Sequence, residues 1–233
     1  MSRFHARRRT LASIVTAVIA LPLGLLLAPT SASGAVSFQN IGLHDRGTRV
    51  VFVQRTLDVP RTGTYNVRTR KAVKSFQRPR DIAATGVVNQ RTWTALQRRW
   101  DRIQSVQVQQ RRAINAKYDR IVKVARNQFG APYQFGAAGP SAFDCSGYTM
   151  FVYAKATGKS LPHLASSQAR MGDRISRKQA RPGDLVFFQS GGSIYHTAIY
   201  AGRGDIYHSS RPGTVVQRDP IWSSNVFFVT LLR

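Results

Sequence analysis

The hydrophobic and polar positions divide the chain into stretches of different period. The first is a continuous apolar run from Leu11 to Leu27, broken by Pro22 and Gly24. Arg3, Arg7, Arg8 and Arg9 precede it, and the small-residue stretch "APTSASGA" follows it. A basic head, an apolar middle and a small-residue flank predict a secretory signal peptide over 1–35, cleaved after Ala32 or Ala35. No later run is long and apolar enough to predict a membrane span, so no stable membrane insertion is expected after cleavage. Over 38–100 the period becomes helical. Val50, Val53 and Leu57 share one face, Ala72, Val73 and Phe76 a second, and Trp93, Leu96 and Trp100 a third. The turns "PRTGTYN" and "ATG" separate them, which predicts a small three-helix domain. Residues 101–117 are polar and lack Pro and Gly, as in a helical spacer. From Ile114 the helical spacing returns through Tyr118, Ile121, Val122, Ala125 and Phe129, and Gly130 is predicted to end that helix.

The remaining segment predicts helices and then strands. "DCSGYTMFVYAKATGK" opens on an Asp suited to an N-cap. It places Tyr148, Phe151, Val152 and Lys155 along one side and stops at Gly158. "RPGDLVFFQ", "SIYHTAIYAG", "GDIYHSS", "GTVVQRD" and "VFFVTLL" predict five short strands, several separated by glycine turns. The expected fold class is α+β with one antiparallel sheet.

Composition narrows the chemistry. Lys and Arg number 35 against 10 acidic residues, a formal charge of +25. Such a balance predicts polyanionic surroundings: nucleic acid, anionic lipid or an anionic cell wall. Paired-Cys zinc sites and aromatic-rich RNA-binding strands are missing, so nucleic acid is not the expected partner. Every acidic residue is Asp. The lack of Glu excludes H-E-x-x-H zinc peptidases and paired-Glu glycosidases. His44 and Asp45 are adjacent without a second His nearby, so no metal site is expected.

Cys145, in "FDCSGY", is the only cysteine. A lone Cys in an exported chain is paired between molecules, buried and inert, or a reactive thiol. Its place at a helix start favours the third reading, because free N–H groups and the positive helix end favour thiolate and could also stabilise an oxyanion. An imidazole is available from the strands. A three-residue loop, Gly202-Arg203-Gly204, would pair Ala201 with Asp205 and bring His208 opposite Ala198, diagonal to His196 on the same sheet face. A two-residue loop would put the two rings on opposite faces. Diagonal neighbours lie about 7–8 Å apart at the backbone, within reach of two imidazoles. One could then act as base while the other orients it.

Two resemblances add to this reading. "LHDRGTRVVFVQRTL", "TGTYNVRTRKAVKSFQ" and "TGVVNQRTWTAL" resemble the peptidoglycan-binding domain found beside many wall hydrolases, with Thr62-Gly63 where Asp-Gly is usual and Asn66 in place of a second glycine. Residues 119–231 resemble the NlpC-type peptidases, papain-like cysteine hydrolases of bacterial walls. The matching stretches are "VARNQFGAPYQFGAAGPSAFDCSGYTMFVYAKATGKSLPHLASSQ", "ARPGDLVFFQ", "HTAIYAG" and "IYHSS". Phe135 stands where Trp is usual, and Ala137-Ala138 where a second Gly is common.

The resemblance implies Cys145 as nucleophile, His196 as general base and His208 as the group orienting it. Tyr133 would lie beside the nucleophile, Asp144 and Ser146 would shape the substrate pocket, and His163 is expected to be non-catalytic. No metal or cofactor is implied. The expected organisation is a signal peptide at 1–35, a peptidoglycan-binding domain at 38–100, a helical spacer at 101–117 and a papain-like cysteine peptidase domain at 118–233. The implied activity is secreted cell-wall hydrolysis of peptidoglycan stem peptides at the D-γ-glutamyl–diamino acid bond. The expected partners are peptidoglycan and anionic wall polymers, and the expected state is a monomer. The alternatives are a non-catalytic wall-binding protein and a wall amidase or acyltransferase on the same scaffold.

Overall fold

The computed structural model describes residues 37–232. The signal-peptide expectation, 1–35, lies outside the described residues. Three helices are built from the N-terminal periodicity: α1 (Thr48–Thr56), α2 (Val67–Gln77) and α3 (Gln90–Arg126). Their core is Ile41, Val50, Val53, Tyr65, Val73, Phe76, Val88 and Leu96, with Leu57 and Trp93 packed at its edge.

A 23-residue repeat that the hydrophobic pattern hides is visible in the polar residues of this segment. Gln54, Gly63, Asn66 and Thr69 recur as Gln77, Gly86, Asn89 and Thr92. Each copy makes the same contacts. The Asn side chain caps a helix by accepting from the Thr N–H, at 3.0 Å from Thr69 and 2.9 Å from Thr92. The buried Gln amide donates to the Thr hydroxyl, at 3.1 and 3.0 Å, and accepts from the Gly N–H, at 3.0 and 2.9 Å. A buried amide is tolerated only when so satisfied, so these polar residues hold the two turns in place.

Helix α3 is 37 residues long and unbroken, about 55 Å at 1.5 Å per residue. Its first turns bury Thr92 and Leu96 in the N-terminal core, and its last bury Tyr118, Ile121 and Ala125 in the second. The polar stretch 101–117 is therefore the exposed middle of one helix. It ends at Arg126, one turn before the expected Gly130, so Phe129 leaves the helical face and is half-exposed.

The second core is formed by α3, α4 (Cys145–Thr157), α5 (Ala165–Gln168) and a six-stranded antiparallel sheet of order β1-β6-β2-β3-β4-β5. The strands are β1 (Asp173–Ile175), β2 (Leu185–Ser190), β3 (Ser193–Gly202), β4 (Asp205–His208), β5 (Gln217–Pro220) and β6 (Val226–Thr230). Five strands were expected; β1 is the sixth. Alternation along β2 and β3 gives each sheet face its own set of side chains. Leu185, Phe187 and Ile199 pack with Ile121, Tyr148 and Val152, whereas Val186, Phe188, Ala198 and Tyr200 pack with Ile206 and Phe228. Helix α4 buries Tyr148, Thr149, Val152, Tyr153 and Ala156. The expected stripe differs at Phe151, which is half-buried, and Lys155, which is exposed.

Candidate active site

Asp144 builds the turn that presents Cys145. Its carboxylate accepts from the Gly147 N–H at 2.7 Å and the Gly136 N–H at 3.0 Å, and Ser146 Oγ donates to it at 3.2 Å. Capping by Asp144 occupies the Gly147 N–H, and the Tyr148 N–H bonds the Asp144 carbonyl. The Cys145 and Ser146 amides thus have no backbone acceptor at the helix start and lie close to the Cys145 sulfur. Gly147 is required by close approach: a Cβ there would lie 2.1 Å from the Ala137 carbonyl oxygen. Tyr133 comes alongside, with its phenol pushed up by burial and by the neighbouring Cys145 and Asp144. Asp144 and Ser146 are both almost fully buried. His163 Nε2 lies 3.0 Å from each Asp144 oxygen, so this half-exposed imidazole closes off the carboxylate expected to shape the pocket.

The histidines come from β3 and β4. Ile199 pairs with Tyr207 and Tyr200 with Ile206, the register expected from the strand pattern. The turn differs from the expected three-residue loop. Gly202 pairs with Asp205 across a two-residue turn, Arg203 (φ 58°) and Gly204 (φ 91°), the positive-φ pair that tight hairpins need. Such a turn alone would put the imidazoles on opposite faces. The extra residue at Ala201, between the Tyr200 and Gly202 pairings, is a β-bulge that shifts the register back by one. His196 Nε2 and His208 Nδ1 therefore meet at 3.0 Å. Ser209, directly after His208, donates to the Phe143 carbonyl at 2.7 Å and ties this hairpin to the turn that carries Cys145.

The chain of contacts continues. His208 Nε2 lies 2.9 Å from Asp219 Oδ2, which also accepts from Gln217 Nε2 at 2.6 Å. Burial works against the Asp219 charge, but hydrogen bonds from His208 and Gln217 prevail and hold its carboxyl below the usual range. A carboxylate can only accept, so His208 donates from Nε2 and accepts at Nδ1. His196 must then carry its proton on Nε2, leaving a lone pair on Nδ1. Asp219 and Gln217 were not anticipated, although the diagonal rule that joins His196 to His208 also reaches Asp219: His208 pairs with Gln217, two residues away on the same face. Trp222 was missed as well. Its half-exposed ring stacks on Phe188 at 4.2 Å and sits 5.4 and 5.3 Å from the His196 and His208 rings.

The electrostatics correct one expectation. Burial pushes the Cys145 thiol up. The backbone N–H groups of Thr197, Ser146 and Cys145 act in the opposite direction without overcoming it, and the Asp144 charge adds to the rise. The helix start therefore does not leave a thiolate at rest. His196 is pulled down to about 3, first by burial and then by His208. His208 is also lowered by burial, partly offset by Asp219. The resting pair is a neutral thiol and a neutral imidazole. Thr197 follows His196 on β3, and its N–H faces the sulfur, so the thiol lies against the backbone that joins these two residues.

The model of the NlpC/P60 family matches residues 130–229, and that of a putative peptidoglycan binding domain matches residues 47–96. Among curated proteins, a probable endopeptidase p60 of Listeria monocytogenes is 46% identical over 93 residues, 40% of this chain and 19% of that protein. A probable endopeptidase of Corynebacterium glutamicum is 42% identical over 94 residues, 40% of this chain and 44% of its own length. The chain thus spans less than half the length of these relatives. Among solved structures, the NlpC/p60 domain of the peptidoglycan hydrolase SagA is 38% identical, covering 48% of this chain and 97% of that one (TM-score 0.46). RipD of Mycobacterium tuberculosis, described as a non-catalytic NlpC/p60 domain protein adapted to peptidoglycan binding, is 27% identical, covering 50% and 98% (TM-score 0.44). The two family models fall on separate segments, so the chain carries an NlpC/P60 domain over residues 130–229, preceded by a peptidoglycan-binding domain over residues 47–96.

Proposed function

We propose that the protein is a secreted thiol hydrolase of peptidoglycan that cuts stem peptides, with the D-γ-glutamyl–diamino acid bond as its target. The observation that carries this reading is the unbroken chain His196–His208–Asp219, which fixes the His196 proton on Nε2 and leaves Nδ1 as an acceptor, while the N–H of the next residue, Thr197, faces the Cys145 sulfur.

In the proposed course, His196 Nδ1 takes the Cys145 proton as the sulfur attacks the scissile carbonyl carbon. Because the resting pair is neutral, proton transfer accompanies attack rather than preceding it. The imidazolium formed on His196 is stabilised by the His208 Nδ1 lone pair, and Asp219 holds His208 in the tautomer that supplies it. The Cys145 and Ser146 amides, close to the sulfur, are suited to receive the oxyanion. The carbon–nitrogen bond then breaks, and the amine leaves with the proton from His196. Water attacks the thioester, His196 accepts its proton, and the carboxylate product departs as the thiol is restored.

The module at 47–96 would hold the enzyme on an insoluble substrate and raise its local concentration. Digestion of purified sacculi, with mass analysis of the fragments, tests the reading. Products ending in a free γ-carboxyl of D-glutamate support it. Release of intact stem peptides from the glycan would instead make the protein an amidase, and binding without products a non-catalytic relative.

A further inference from the structure

Away from the thiol site, the N-terminal domain has a groove of about 570 Å³. One wall is the turn after α2, with Arg80, Asp81 and Ile82; the other is the outer face of α3, with Arg91, Thr94, Ala95, Arg98 and Arg102. The spacing of the three α3 arginines, i, i+7 and i+11, keeps them within about 40° of one line, over roughly 16 Å of helix. The fourth guanidinium is fixed in place: Arg80 donates to the Phe76 carbonyl at 2.8 Å and lies 3.9 Å from the centre of the Phe76 ring.

Arginines on the packed side of this domain have structural tasks. Arg49 lies over Trp93, Arg55 over Trp100, and Arg99 donates to the Thr56 carbonyl. Arg91, Arg98 and Arg102 are exposed, and their guanidinium groups make no hydrogen bond or ion pair among the described residues. Asp81 is the only acid lining the groove, and no guanidinium reaches ion-pair distance of it. A line of like charges on one helix face, with Arg98 and Arg102 one turn apart, costs the free helix stability. An anionic ligand would relieve that repulsion.

We propose that this groove binds a linear phosphodiester polymer of the cell wall, each phosphate held by guanidinium forks. Arginine suits phosphate because its planar donors can engage two oxygens at once. The spacing along α3, about 10 Å and then 6 Å, calls for anionic groups repeated along a thin chain. Single-stranded nucleic acid would want aromatic platforms, of which the lining has none. Occupancy would add a second hold on the wall, independent of stem-peptide recognition.

The test uses the full mature chain and poly(glycerol phosphate) as probe. The triple variant Arg91→Gln/Arg98→Gln/Arg102→Gln is compared with Arg111→Gln/Arg112→Gln/Lys117→Gln, which removes the same charge from exposed positions farther along α3. The groove variant should bind at least about tenfold more weakly and the control within about twofold of the parent. Probe binding should raise the parent's melting temperature, but not that of the groove variant, whose helicity should be unchanged. Replacing the same three arginines by lysine should recover only part of the affinity. Equal loss in both triple variants, or none in the groove variant, overturns the site. Competition by duplex DNA or phosphatidylglycerol vesicles as effective as by the polymer would overturn the assignment of the ligand.

Discussion

The buried imidazole of His196 makes the stability of the six-stranded sheet depend on pH, with a sign and size that follow from the structure. Unfolded, this histidine takes a proton near pH 6.5; folded, it resists protonation down to about 3. The unfolded chain therefore binds more protons between these values, and stability falls as the pH falls through that window. Above pH 6.5 the contribution is fully present. Each pH unit below it removes up to about 1.4 kcal/mol for this one group, so the whole interval amounts to about 5 kcal/mol. That is comparable to the total stability of many domains. His208, lowered in the same direction, adds to the slope. Hydrogen exchange of the β3 and β4 amides from pH 8 to 4 reads this sheet separately from the N-terminal helices. His196→Gln, which cannot titrate, should flatten the slope by about one proton. NMR of the imidazole Cε1–H should show no titration of His196 near pH 6.5. A midpoint near 6.5, or a variant with the parent's slope, would refute burial as the force that keeps His196 neutral.

Other consequences are open to measurement. Cys145→Ala should abolish hydrolysis and keep wall binding, and Cys145→Ser should be nearly inactive, because its hydroxyl is far less acidic; the sacculus assay decides. His196→Ala should remove most activity and His208→Ala less, with partial recovery in His208→Asn or His208→Gln. Asp219→Ala should lower kcat by more than about tenfold with little change in KM, because the imposed tautomer is lost. If His163→Ala is more damaging than His208→Ala, base and orienter have been misassigned. Gly147→Ala should be destabilised by more than about 2 kcal/mol in urea melts, because its methyl meets the Ala137 carbonyl at 2.1 Å. A fragment starting near Ala113, which keeps Tyr118, Ile121 and Ala125, should cleave soluble muropeptides at the parent's rate but digest sacculi poorly at low concentration. Faster cleavage of small substrates by that fragment would make the module an inhibitory lid instead.

Much of this was legible because the controlling patterns are local. The faces of α1 and α2 follow from apolar spacing, and the helix start at Cys145 from its Asp cap. The strand register, carried by alternation, brought His196 and His208 together correctly. The turn did not, because tight turn and bulge make equal and opposite one-residue shifts that sequence alone does not separate. β1 escaped notice because Asp173-Arg174-Ile175 is short and mostly polar, with an edge position that only its pairing with β6 defines. Asp219 lies in a polar strand, Gln217–Pro220, and only the β4–β5 pairing sets it beside His208. The resting thiol was misjudged because helix-end electrostatics can be read from a motif, whereas burial depends on what the rest of the fold lays over it.

The unbroken α3 gives the molecule a bearing as well as a reach. A flexible linker of 17 residues would let its ends wander over about 23 Å in any direction. The same residues, 101–117, in a helix span about 26 Å along one axis. A chain held at its N-terminal end thus sweeps a narrow arc, and bonds elsewhere are met only after it lets go. Each residue added to the exposed middle turns the distal half by about 100°, so a single insertion re-aims the Cys145 site more than it displaces it. Adding seven residues brings the heading back to within about 20° while lengthening the arm by about 10 Å. Such insertions make spacing and orientation separately adjustable in one helix.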